Sequence, residues 1–136
     1  ADVTFRDVDE AEIGACYELM RQLRPHLKSQ EEFIARCAAI RIVALWGEGK
    51  PAALAGYRVT ENLVHGKFLY VDDLISDQSA RGRGYGALLL DQLKAEGRAL
   101  GCNKLVLDTG LDNFLAHRFY FRQGLLAQAL RFNIPL

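Results

Sequence analysis

Residues 41–76, RIVALWGEGKPAALAGYRVTENLVHGKFLYVDDLIS, contain three β-rich runs separated only by GEGKP and ENLVHGK. Breaks this short turn each run back on the one before it, so the segment specifies an antiparallel meander. The flanking sequence supplies the rest of a sheet and its cover. VTFRDV (3–8) alternates and reads as a strand. DEAEIGACYELMRQL carries early acidic residues and sets Ile13, Cys16, Tyr17 and Met20 on one stripe, which predicts a helix ended by RPH. SQEEFIARCAAI opens with a Ser-x-x-Glu capping box, Ser29 to Glu32, and predicts a second helix. After the meander, Gly86, Leu89, Leu90, Leu93, Gly97 and Leu100 recur at helical spacing up to Gly101. NKLVLDT reads as a short buried strand. DNFLAHRFYFRQG reads as a helix capped near Asp112 or Asn113 and ended by Gly124, and LAQALRFNIPL as a last strand. The order strand, two helices, three strands, helix, strand, helix, strand describes an α/β chain with one mixed sheet.

A length of 136 residues fits a single domain, 1–136, with a core that needs neither disulfide nor metal. Formal net charge is zero, so no global field favours nucleic acid or an acidic membrane, and no apolar run approaches a membrane span. Cys16, Cys37 and Cys102 are odd in number and widely separated, without metal-ligand spacing. His26, His65 and His117 fall in three different elements and add no metal pattern. These features predict a cytoplasmic protein with reduced thiols, binding no metal, nucleic acid or membrane.

One stretch departs from ordinary connection chemistry. SARGRGYGALLLDQL (79–93) sets three glycines and two arginines against a leucine-rich helical pattern. Glycines admit close approach to the main chain, and a helix start presents unpaired N–H groups bearing partial positive charge. The stretch is no Walker A turn, because the chain holds no Lys-Ser or Lys-Thr pair. It also fails the dinucleotide fingerprint, lacking a strand directly before it and a ribose-binding acid about 20 residues on. Two readings stand: a glycine-rich connection with solvated arginines, or a seat for a pyrophosphate in which Arg81 and Arg83 add charge-assisted hydrogen bonds.

The pattern Arg-x-x-Gly-x-Gly, here Arg81, Gly84 and Gly86, resembles the acetyl-CoA motif of the GNAT-type N-acetyltransferase superfamily. A second stretch, NFLAHRFYFRQGL, is similar to the superfamily's N-x-x-A-x-x-F/L-Y-x-x-x-G-F at Asn113, Ala116, Tyr120 and Gly124, with Leu125 in place of Phe. The resemblance spans the chain. It implies a GNAT fold, a mixed and mostly antiparallel sheet with a V-shaped central split flanked by helices, and acetyl-CoA as co-substrate. It further implies that Arg81, Gly82, Arg83, Gly84, Tyr85 and Gly86 hold the diphosphate. A bulge at Leu74, Ile75 and Ser76 would free N–H groups for the pantetheine arm. Asn113 would cap its helix and also touch the cofactor.

Within that resemblance Tyr120 is the candidate general acid. A phenol with pKa of about 10 still holds a proton at neutral pH to offer a departing thiolate whose conjugate acid lies near about 8.5. The alternative is a tyrosine packed with Phe119 and Phe121. A lysine-like acceptor amine is only about a thousandth neutral near pH 7.4, a shortfall of roughly 4 kcal/mol, so a base is needed. Asp72 and Asp73, adjacent on one strand, are expected on opposite faces. Asp72, sharing its face with Phe68 and Tyr70, is preferred as base, with Asp73 or a water as alternatives. RQLRPHLKSQEE corresponds to the segment that walls the acceptor site in relatives. No cysteine stands in a nucleophile motif, which favours direct transfer in a ternary complex to a small-molecule amine. A protein or peptide acceptor, a non-catalytic acyl-CoA sensor and a homodimer remain compatible with the resemblance.

Overall fold

The computed structural model describes residues 3–9, 11–78 and 82–136. They divide into two compact units, Ala1–Val106 and Leu107–Leu136. The elements are β1 (Thr4–Asp7), α1 (Ile13–Leu23), α2 (Gln30–Arg36), a 3-10 turn (Cys37–Ala39), β2 (Arg41–Gly47), β3 (Lys50–Asn62), β4 (Gly66–Ser76), α3 (Tyr85–Ala99), β5 (Lys104–Leu107) and α4 (Phe114–Arg122).

The meander forms as expected, with β1 to β4 antiparallel in sequence order and β5 beyond β4. The GEGKP break contracts to a two-residue hairpin turn, because Glu48 and Gly49 both take left-handed φ values, 55° and 79°. The ENLVHGK break closes on Asn62, whose Oδ1 accepts from His65 N at 2.7 Å. The start of β5 lies beside the start of β4, where Asn103 N donates to Lys67 O at 2.7 Å, and α3 provides the crossover between them. This is the parallel element of the mixed sheet.

Alternation along the strands gives the first unit a core on each face of the sheet. On one face, Ile42, Ala44 and Leu54 pack with Cys16, Leu19 and Met20 of α1 and with Phe33 and Cys37 from the second helical segment. On the other, Leu89, Leu90 and Leu93 of α3 are fully buried, and Gly97 brings the helix against Leu69 of β4. The capping box holds: Ser29 Oγ accepts from Glu32 N at 3.1 Å. Tyr17 ties α1 to the following loop through its hydroxyl, which donates to Leu27 O at 3.2 Å.

One expected element is absent. Residues 125–136 adopt neither helix nor strand. Leu130, Phe132, Ile134 and Leu136 keep the two-residue alternation of a strand yet stand exposed. Alternation prepares a segment for a sheet, but pairing requires a neighbouring edge.

Candidate active site

The glycine turn enters α3 through Gly84, whose φ of 77° places it in the left-handed region at the N-cap. Gly82 takes φ 85°, and a Cβ built at either residue meets no atom of the described residues within 4 Å, so towards them the turn presents bare backbone. The first intrahelical bond runs from Leu88 N to Gly84 O at 3.0 Å, which leaves the N–H groups of Tyr85 and Gly86 pointing out of the helix start. Tyr85 buries its side chain, so only its main chain is available here. Arg83 is exposed. Arg81 lies outside the described residues.

The bulge in β4 falls earlier than expected. Leu74, Ile75 and Ser76 pair regularly with Ala55, Leu54 and Ala53, whereas Gly56 opposes Asp73 and Tyr57 opposes Val71, so Asp72 is the inserted residue. The displacement has two consequences. First, Leu74–Ser76 must present N–H groups by strand alternation alone, successive ones pointing in turn to β3 and to the edge facing β5. With Asn103 level with Lys67, the short β5 ends before that stretch of β4. Second, the extra residue cancels the alternation at this point, and Asp72 and Asp73 line the same cleft rather than opposite faces. Gly56 makes room for this, because a Cβ there would stand 3.0 Å from Ile40 Cδ1 and 3.4 Å from Asp73 Oδ2.

The cleft, ≈ 340 Å³, lies between β4 and the two helices on its face. Met20, Leu27 and Phe33 form its apolar part, and Arg24, Arg36 and His26 join the aspartates as its polar part. Asp72 is held by a bidentate pair: Arg58 Nε to Oδ2 and Nη2 to Oδ1, both 2.9 Å. Arg58 also lies over the Tyr70 ring, 5.2 Å from its centroid. Asp73 accepts from Arg24 Nε at 2.7 Å through Oδ1, and Arg24 Nη2 donates to Asp72 O at 3.0 Å. Arg24 and Arg58 were invisible as site residues in the sequence. Arg24 carried only a position in the RQLRPHLKSQEE segment, and Arg58 no signal beyond charge on a strand.

Cys37 also lines this cleft. Burial, reinforced by the negative charge of Asp73, pushes its thiol up to about 11. Cys16, deeper in the core, is pushed up to about 12 by burial. A thiol held protonated is a poor nucleophile, which speaks against a covalent acyl-cysteine here. Among the described residues no group of three or more His, Cys, Asp and Glu could hold a metal ion, and no helix is long and apolar enough to cross a membrane.

Asn113 and Tyr120 belong to the second unit. Asn113 is the N-cap of α4, its Oδ1 accepting from Ala116 N at 3.3 Å. Tyr120 is half-buried on the same helix with its ring edge-to-face with Phe119, centroids 5.3 Å apart. Burial raises its phenol above the ordinary value of 10.0. His117 is occupied locally, its Nε2 lying 2.8 Å from Gly110 O.

The model of the acetyltransferase (GNAT) family matches residues 10–125. The chain is 29% identical over 127 residues to an uncharacterized N-acetyltransferase, YhdJ, of Bacillus subtilis, covering 88% of this chain and 89% of that protein. It is 28% identical over 123 residues to glucosamine 6-phosphate N-acetyltransferase 1 of Dictyostelium discoideum, covering 82% and 78% respectively. Its fold superposes on the aminoglycoside N-acetyltransferase AAC(6')-Iy, solved in complex with CoA, with a TM-score of 0.87 at 16% identity over 98% of this chain and 95% of that one.

Proposed function

Because the chain belongs to the acetyltransferase (GNAT) family, we propose that it transfers the acetyl group of acetyl-CoA to the primary amine of a small molecule, by direct attack in a ternary complex. The observation that carries the choice of acceptor is the cleft beside β4. Its two carboxylates, each held by an arginine, offer their remaining lone pairs to an ammonium, its apolar wall receives a carbon skeleton, and ≈ 340 Å³ suits a small molecule. The glycine turn fits the diphosphate: Gly82 and Gly84 leave open space where the α3 N–H groups emerge. We assign Gly82, Arg83, Gly84, Tyr85 and Gly86, with Arg81, to that contact, and the β5-facing edge of Leu74–Ser76 to the pantetheine amides.

In the transfer, nitrogen bonds to the thioester carbonyl carbon and the carbon–sulfur bond breaks. Tyr120 gives the thiolate a proton and is restored by the second proton, which the nitrogen sheds as the amide forms, and Asn113 steadies the start of the helix that carries it. Asp72 draws the proton from the acceptor ammonium. Both of its oxygens accept from Arg58, so we infer that a water relays this proton. The whole of 1–136 serves as one catalytic domain in this reading, since the family match crosses the boundary between the two units. The three free cysteines fit a reducing cytoplasm.

The test is a thiol-release assay with acetyl-CoA and a panel of amines. Amine-dependent CoA release with formation of the acetylated amine is expected. Saturable acetyl-CoA binding without transfer to any acceptor would identify a sensing module instead.

A further inference from the structure

We propose that the cleft selects amines carrying a second, anionic group, a phosphate monoester or a carboxylate, and that Arg24 and Arg36 are the residues that hold it. The inference rests on the acetyl-transfer reading only in naming the ligand an acceptor; the binding preference stands on the cleft itself.

Its charges are segregated by element. Asp72 and Asp73 come from β4, whereas Arg24 follows α1 and Arg36 ends α2. Arg24 is fixed in place by Asp73 and by the Asp72 carbonyl, which take its Nε–H and one Nη2–H. A guanidinium has five N–H donors, so three remain on Arg24. Arg36 Nε pairs with Glu32 Oε1 at 3.3 Å, and its four remaining donors belong to a side chain that is 68% exposed. Two guanidiniums with donors to spare, bordering one cleft, match the oxygens of a phosphate or carboxylate in charge and in number of donors. Leu27 and Phe33 supply the apolar surface for the atoms that join the two charged ends of the ligand. A purely cationic acceptor such as a polyamine would meet carboxylates already paired with Arg58 and Arg24, and would bring its second ammonium towards the arginines. A ligand with one charge of each sign meets no such repulsion.

Two matched pairs test this by titration calorimetry: ethanolamine against phosphoethanolamine, and propanolamine against β-alanine. The anionic member is expected to bind about tenfold or more tightly, the value of one charge-assisted hydrogen bond. Arg36→Gln should shrink that ratio about tenfold, and Arg36→Lys, which keeps the charge and loses the fork, should shrink it less. A larger gain for phosphate, or for carboxylate, supports the proposal and names the group. Equal affinities within both pairs, or a ratio unmoved in Arg36→Gln at unchanged melting temperature, would overturn it while leaving acetyl transfer intact. The converse result, the expected binding contrast with no CoA release for any amine, overturns the transfer reading and not the anion preference.

Discussion

Tyr120 is placed to keep its proton. Burial raises its phenol above 10.0, so the neutral, donating form persists through neutral and mildly alkaline solution and is lost only as pH rises past that value. An enzyme using this phenol as its acid should therefore gain activity with pH as the acceptor amine deprotonates, and any descending limb from tyrosine ionisation should have its midpoint above that of an ordinary phenol. Tyr120→Phe is expected to lower kcat by about a hundredfold and to change the Kd for acetyl-CoA by less than about threefold. Unaltered kcat across the pH profile would remove Tyr120 from the chemistry. Asp72 illustrates the opposite constraint, a carboxylate whose two oxygens already accept from an arginine. In the proposed transfer it would therefore act through a relay.

The entry to α3 concentrates the glycine chemistry in one turn. At φ 77°, an L-residue in place of Gly84 meets the left-handed penalty of about 1–2 kcal/mol, although no atom of the described residues lies within 4 Å to clash with it. Aspartate tolerates that region better than alanine, so Gly84→Asp should melt no lower than Gly84→Ala. Its carboxylate would nonetheless project towards the proposed diphosphate. We expect acetyl-CoA affinity to fall about tenfold further in Gly84→Asp than in Gly84→Ala, measured by calorimetry. Equal losses in the two variants would mean that strain, and not charge at an anion seat, explains the effect. The bulge in β4 acts similarly on side chains: by inserting Asp72 it turns two neighbouring carboxylates onto one face.

The molecule as a whole divides at Val106, and its two units differ in how much they bury. The first holds a core on each face of the sheet, whereas no residue of α4 in the second is fully buried. A unit as short as Leu107–Leu136 cannot hold itself together by burial of its own apolar surface. The main calorimetric transition is therefore expected to report the first unit: Leu90→Ala, at a fully buried position of α3, should cost about 2–5 kcal/mol, and an unchanged melting temperature would contradict its place in that core.

The features legible in the sequence are those set by neighbours along the chain. The meander follows from short breaks between β-rich runs, and the caps Ser29 and Asn113 act on N–H groups three residues away. The two glycine-bearing motifs also identify the family over most of the chain. Other features depend on residues brought together from a distance. The bulge belongs to the register between β3 and β4, and it overrides the simple alternation that would have separated Asp72 from Asp73. The partners of those aspartates, Arg58 and Arg24, lie 14 and 49 positions away for the bonds they make. LAQALRFNIPL has the alternation of a strand and remains unpaired. Local bonds and hydrophobic period are written in consecutive residues. Register, pairing and the grouping of charges arise only when separate segments meet, because each depends on the geometry of both.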